Sequence, residues 1–299
     1  MHKAIVCFIL LVHTIAAQSP LKQELSFQGH LRHYLYVASL NDKPKPILFV
    51  LHGGGGTAER SARLKSGFLS LVSSHNFLVV YPQGLDKQWR DGRDLVKAKK
   101  FKKITKDVDD LAFLKKIARD LSKSNGAGLS NVFITGMSNG AMMSYRVACE
   151  GDGFIRAFAP VTGVITDNIY DKCKFSKETS ALIINGTKDS LVPYEGGQVR
   201  FFFKKLGKIR SVDESFAKVS QLNHCKSQSN QVLKNTKKVM ISRSFDCSKN
   251  SEVLLYKVID GGHTWPGSKQ HISRWLVGDT NQEFSATEAI KKFFIKHLK

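Results

Sequence analysis

Three short segments each put a reactive side chain in a turn that directly follows an apolar run. Ser138 lies in Gly136-Met137-Ser138-Asn139-Gly140, after Val132-Phe133-Ile134-Thr135. Asp189 lies in Asn185-Gly186-Thr187-Lys188-Asp189, after Ile183-Ile184, and His263 lies in Asp260-Gly261-Gly262-His263-Thr264-Trp265-Pro266, after Val258-Ile259. A serine hydroxyl is a weak nucleophile until a base takes its proton, and that base needs a carboxylate to orient it. Serine, acid and histidine, in that chain order, are the parts needed for nucleophilic acyl transfer.

The pattern around Ser138 carries the most information. Gly-x-Ser-x-Gly between a strand and a helix makes a sharp turn that lifts the hydroxyl above the sheet edge. Gly136 and Gly140 remove the side chains that would crowd so tight a turn. A chance Gly/Ser-rich turn is the plain alternative, and the flanking strand and helix argue against it. Asp260 and Asp167 are rival acids. Asp260 is too close in sequence to His263 to orient it easily, and Asp167 follows the strand before the one that leads to Asp189. The other seven histidines beyond residue 17 read as surface or loop residues, including His224, His271 and His297, with His52 ordering a glycine loop.

Charge developing on the attacked carbonyl calls for backbone N–H donors. His52-Gly53-Gly54-Gly55-Gly56 follows the apolar run Ile47–Leu51 and supplies them. Gly54 is the first candidate and Gly55 the second, paired with the N–H of Asn139. A phosphate-cradling reading fails because no Gly-Lys-Ser/Thr ending follows. Trp89, Tyr194 and Trp265 are candidate pocket walls, or else pack the loops.

These loops need rigid supports. Runs at His33–Val37, Ile47–Leu51, Phe77–Tyr81, Val132–Thr135, Phe158–Val161, Ala181–Ile184, Val239–Ile241 and Val253–Val258 read as strands. Helical spacing appears over Ser61–Leu71, around Leu111–Leu121, over Val212–Leu222 and in a last helix opened by a Ser285–Glu288 capping box. That last helix would turn Ile290, Phe293, Phe294 and Leu298 inward. Strands alternating with helices predict an α/β fold, a mostly parallel sheet with helices on both faces. We expect one catalytic domain over residues 18–299.

Lys3, the apolar run Ala4–Val12 and the ending Ile15-Ala16-Ala17 predict a signal peptide over residues 1–17, and hence a secreted or periplasmic protein. Cys149, Cys173, Cys225 and Cys247 remain after it, and an oxidising compartment would pair them. Three pairings are open. Proximity favours Cys149–Cys173 and Cys225–Cys247.

The 46 Lys and Arg outnumber the 25 Asp and Glu, for a formal charge of +21, or about +20 once Lys3 is removed. The lysines cluster, as at Lys97–Lys103 and Lys204–Lys208. They read as a solvated basic face, with attraction to an anionic surface as the functional alternative. No nucleic-acid module accompanies them. No zinc spacing, metal or organic cofactor is implied, and no further run is long enough to span a membrane.

The chain resembles secreted α/β-hydrolases of the polyhydroxybutyrate depolymerase and feruloyl esterase family. The likeness rests on Leu51-His52-Gly53-Gly54-Gly55, Tyr81-Pro82-Gln83-Gly84 with Trp89-Arg90-Asp91-Gly92-Arg93, and Gly136–Gly140. It continues through Gly186–Asp189 with Val192-Pro193-Tyr194, and Gly261–Gly267. The resemblance implies a Ser138–Asp189–His263 triad, pairing of the neighbouring cysteines, and an ester substrate such as a hydroxyalkanoate oligomer. Feruloyl or acetyl-xylan esters are the enzymatic alternative, and an exported basic binder on an idle scaffold is the non-enzymatic one. A polymer-binding domain, usual in true depolymerases, is not read here, which counts against insoluble polyester.

Overall fold

The computed structural model describes residues 19–93, 108–202, 204–226 and 230–299. The expected signal peptide and the Lys97–Lys103 cluster lie outside the described residues.

The chain opens with a hairpin, β1 (Leu21–Phe27) and β2 (His30–Val37), followed by β3 (Lys45–Leu51). Two short helices, α1 (Ala58–Leu64) and α2 (Ser70–His75), lead to β4 (Leu78–Pro82). The helical run expected over Ser61–Leu71 is therefore broken. It bends at Gly67, where a Cβ would sit 3.0 Å from Thr287 of the last helix. Next come α3 (Asp110–Asn125), β5 (Ala127–Met137), α4 (Asn139–Glu150), β6 (Ala157–Val161), α5 (Asp167–Tyr170) and β7 (Ser180–Gly186).

A small separate hairpin, β8 (Gly197–Phe201) and β9 (Lys204–Ile209), interrupts the alternation before α6 (Val212–Leu222). Strands β10 (Asn230–Asn235), β11 (Val239–Ser244) and β12 (Val253–Val258) then precede α7 (Arg274–Val277) and α8 (Ala286–Lys296).

Among the described residues the main sheet runs β1-β2-β4-β3-β5-β6-β7-β12-β11-β10. The six strands from β4 to β12 are parallel, and the outer strands are antiparallel. The sheet is thus mostly parallel with antiparallel margins. Strands β1 and β10 escape the sequence reading because their edge positions leave them polar and exposed.

Buried strands present both faces to helices, which explains their unbroken apolar sequences. On β3, Ile47, Phe49 and Leu51 pack with Phe113 and Ile117 of α3 and Met142 of α4. Leu48 and Val50 face the other way, onto Ala58, Leu71 and Phe294. The full capping box belongs to α6, between Ser211 and Glu214. At α8 only half of the expected box forms. Ser285 caps the Glu288 N–H, while the Glu288 carboxylate turns to Lys291 at 2.9 Å.

A buried ion pair joins the margin of the sheet to the start of α3. Arg32 of β2 donates to Asp110 at 2.8 Å and lies over the Phe113 ring at 3.9 Å. The second Asp110 oxygen accepts the Arg90 N–H at 2.8 Å. Removing the carboxylate would leave a buried guanidinium without a counter-charge. We expect Asp110→Ala to cost about 3–5 kcal/mol in urea unfolding. A loss under 1 kcal/mol would show that the pair does not clamp these elements.

Candidate active site

The strand order reverses around β3: β4 lies on one side of it and β5 on the other. In parallel sheets such a reversal opens a crevice at the carboxyl ends of the strands. The glycine loop leaves β3 there, and Ser138 leaves β5 beside it. Register pairs Leu51 with Gly136, so the two turns start level.

Ser138 has φ 57° and ψ −118°, outside the regions an L-residue normally occupies. Its own N–H is fixed by the Val161 carbonyl at 3.0 Å. The glycines explain how the turn closes. A Cβ on Gly136 would lie 2.6 Å from the Gly140 carbonyl carbon, and one on Gly140 would lie 2.5 Å from the His52 carbonyl oxygen. Asn139 begins α4, where first-turn N–H groups have no intrahelical partner.

Asp189 and His263 meet across 74 residues of sequence, with Asp189 Oδ2 2.8 Å from His263 Nδ1. The other Asp189 oxygen accepts the Leu191 and Val192 N–H groups at 2.9 and 2.8 Å. A carboxylate so held makes Nδ1 the protonated nitrogen of His263 and leaves Nε2 with a free lone pair. Ser138 and His263 line one cavity of about 600 Å³. No hydrogen bond joins the serine hydroxyl to the imidazole in this conformation.

The rival acids lie elsewhere. Asp260 is exposed and pairs with Lys188 at 3.0 Å, and Asp167 pairs with Arg210 at 3.2 Å. His297 is buried rather than superficial, 3.6 Å from Glu252.

The glycine loop needs one correction. The Gly55 N–H donates to the Lys87 carbonyl at 2.8 Å, so it cannot also hold an oxyanion. Gly54 has no such partner among the described residues. Gln88 packs against it instead, with Oε1 3.0 Å from where a Cβ would be. His52 fixes this loop. Its Nε2 accepts the Gly84 N–H at 2.9 Å, so Nδ1 carries the proton and donates to the Gly53 carbonyl at 2.8 Å.

Two of the three expected pocket walls are also corrected. Trp89 is buried away from the cavity, stacked near His52 and donating its indole N–H to the His52 carbonyl at 2.9 Å. Tyr194 is buried and donates to Asp213 at 2.8 Å. Trp265 does line the cavity, with the Lys65 ammonium 3.7 Å above its ring. Both rings that left the cavity pack the loops that shape it.

Sequence reasoning missed the Asn139 side chain, which holds Trp89 through its N–H and carbonyl at 2.7 and 2.9 Å and donates to Asp91 at 2.6 Å. It also missed Gln83, which accepts the Ala58 N–H at 2.9 Å and reaches His52 at 3.2 Å. Amides carry no recognisable spacing, so no local signal marked them. Among the described residues no group of three or more His, Cys, Asp or Glu is assembled to hold a metal ion.

With this geometry established, relatives become informative. No protein-family model matches the chain. The NocK protein of Nocardia uniformis subsp. tsuyamanensis, named as an esterase, is 23% identical over 94% of this chain and 84% of its own length. Feruloyl esterase B of Piromyces equi is 25% identical over 52% of this chain. Poly(3-hydroxyalkanoate) depolymerase C of Paucimonas lemoignei is 28% identical over 45% of it. The chain spans only 29% and 32% of those two longer proteins. Among solved structures, an acetyl xylan esterase from Aspergillus awamori superposes with a TM-score of 0.57 at 13% identity, covering 82% of this chain and 94% of that one. The Bacillus cereus carboxylesterase gives 0.51 at 14% identity, covering 89% and 95%.

The chain has the α/β fold of these esterases and is similar to them in sequence.

The site's packing also has an electrostatic consequence. Burial pulls the His52 imidazole down to about 4, because charging it there would cost solvation. An unfolded His52 takes its proton near 6.5, so its contribution to stability is complete above that pH and is lost as pH falls towards 4. We expect urea unfolding between pH 7 and 4 to show a loss of about 3 kcal/mol in the native protein that is missing from His52→Gln. Parallel curves for the two proteins would disprove a neutral buried His52.

Proposed function

We propose that residues 18–299 form one catalytic domain that hydrolyses carboxylic esters through a covalent acyl-enzyme on Ser138. The observation that carries this reading is the 2.8 Å contact between Asp189 and His263 on the cavity that Ser138 also lines. His263 Nε2 takes the serine proton as Oγ attacks the ester carbonyl. The Gly54 and Asn139 N–H groups stabilise the oxyanion, and Asp189 stabilises the imidazolium. The imidazolium then protonates the departing alcohol as the carbon–oxygen bond breaks. Water, deprotonated by His263, attacks the acyl-serine and releases the acid. Closing the gap between hydroxyl and imidazole falls to the substrate complex, where such contacts commonly tighten.

The match to a poly(3-hydroxyalkanoate) depolymerase supports hydroxyalkanoate oligomers as the substrate class. The feruloyl esterase match and the acetyl xylan esterase fold support plant cell-wall esters as the second reading. Export is supported by the two disulfides, Cys149–Cys173 and Cys225–Cys247. Among the described residues no helix is long and apolar enough to cross a membrane.

A fluorophosphonate probe should label the native protein on Ser138 and leave Ser138→Ala unlabelled. Asp189→Asn should lower kcat on a 4-nitrophenyl ester roughly 10⁴-fold, since the imidazole would lose its orienting charge. Equal labelling of the native and Ser138→Ala proteins would refute the mechanism.

A further inference from the structure

The cavity that holds Ser138 is basic to a degree that ester hydrolysis alone does not require. Its lining includes Arg60, Lys65, Lys87, Arg200, Lys204 and Lys269. None of these six is in an ion pair among the described residues. Arg93 also lines the cavity, but Asp91 neutralises it at 2.7 Å. The single carboxylate on the described lining is the exposed Asp86. The cations come from four separate parts of the chain: α1 and the residue after it, the Asp86–Gln88 turn, the β8–β9 hairpin, and the loop after His263.

Lys65 differs from the others. Its ammonium lies against the Trp265 ring at 3.7 Å, and the residue is half-buried. No carboxylate or carbonyl accepts from it among the described residues. Burial pulls its pKa down to about 7, so an anion placed beside it would favour the charged form. The indole face holds the Lys65 nitrogen in place, and the protonated amine has three donors to offer. Leu64, Leu191, Phe201 and Ile272 add apolar wall to the same cavity. The combination fits a ligand with an aliphatic body and one anionic end.

We propose that this hydrolase selects esters that carry a free carboxylate, with Lys65 as the residue that recognises it. Arg60, Arg200, Lys204 and Lys269 draw the anion in over longer range. The inference rests on the ester-hydrolase reading and narrows its substrate class. A short oligoester of a hydroxy acid ends in one carboxylate, so every molecule can satisfy Lys65. A long neutral polyester has almost no such ends per scissile bond. The cavity therefore favours oligomers over polymer on charge alone. A lysine ammonium meets a carboxylate as a compact point charge with three donors.

The test compares matched pairs of esters on the whole protein. Mono-4-nitrophenyl adipate against 4-nitrophenyl hexanoate places the carboxylate on the acyl side. The dimer of 3-hydroxybutyrate against its methyl ester places it on the alcohol side. At least one pair should show kcat/KM higher for the anion by roughly ten- to a hundredfold, the usual range for a charge-assisted contact, and the pair that does so identifies the side. Lys65→Met should bring that ratio close to one, and Lys65→Arg should restore most of it. Raising salt should trim the ratio through the outer cations but leave a Lys65-dependent remainder.

Ratios near one for both pairs in the native protein would overturn the proposal, as would a ratio that survives Lys65→Met. Binding separates this from failure of the chemistry. Adipate should bind to Ser138→Ala in calorimetry, and about tenfold or more weakly when Lys65→Met is added. Lys65-dependent binding without turnover of any ester would refute the hydrolase mechanism and uphold anion recognition. Absence of both binding and preference would refute anion recognition.

Discussion

Everything at the carboxyl end of this sheet depends on how closely the backbone can approach itself around Ser138. The serine is held at φ 57° and ψ −118°, a conformation that costs on the order of 1–3 kcal/mol and persists only where neighbours over-determine it. Here the neighbours are backbone. Gly140 sits against the His52 carbonyl and Gly136 against Gly140, at distances no Cβ tolerates. The end of β3, the elbow and the start of α4 thus behave as one contact. The serine's strain is sustained by the register of two central parallel strands.

That contact is locked from the side by a second loop. The His52 carbonyl that crowds Gly140 also accepts the Trp89 indole N–H, and the His52 ring bonds Gly53 and Gly84. Asn139, next to the serine, grips Trp89 and Asp91 through its side-chain amide. Asp91 in turn holds Arg93, whose guanidinium reaches the Leu206 carbonyl of the β8–β9 hairpin at 3.1 Å. A chain of polar contacts therefore runs from the elbow to the hairpin that walls the cavity. Buried networks of this kind fix one arrangement because each unsatisfied member would be expensive.

The disulfides serve the scaffold rather than the site. Cys149 at the end of α4 joins Cys173 just beyond α5, and Cys225 beyond α6 joins Cys247 between β11 and β12. Each closes a short loop and limits the unfolded chain, a contribution of about 3 kcal/mol for loops of this size. Both lie on the connections that follow the elbow, so they steady the later half of the sheet from which Asp189 and His263 emerge.

The sequence by itself determined the parallel core, because a strand buried on both faces must be apolar throughout, as Ile47–Leu51 and Ala181–Ile184 are. It also marked the elbow, because the glycine requirement is local to five residues. It placed Ser138, Asp189 and His263 each just past a strand end, since parallel strands deliver their following turns to one edge. What it left open depended on partners far away in the chain. Whether Gly54 or Gly55 keeps an unused N–H turns on the Lys87 carbonyl, more than thirty positions downstream. Whether Trp89, Tyr194 or Trp265 faces the cavity turns on where its distant partners lie, His52, Asp213 and Thr287 respectively. The lysines show the same limit. Composition reports an excess of charge, but only tertiary structure decides which ammonium is left without a counter-ion, because pairing and burial are properties of neighbours that the chain brings together from different turns.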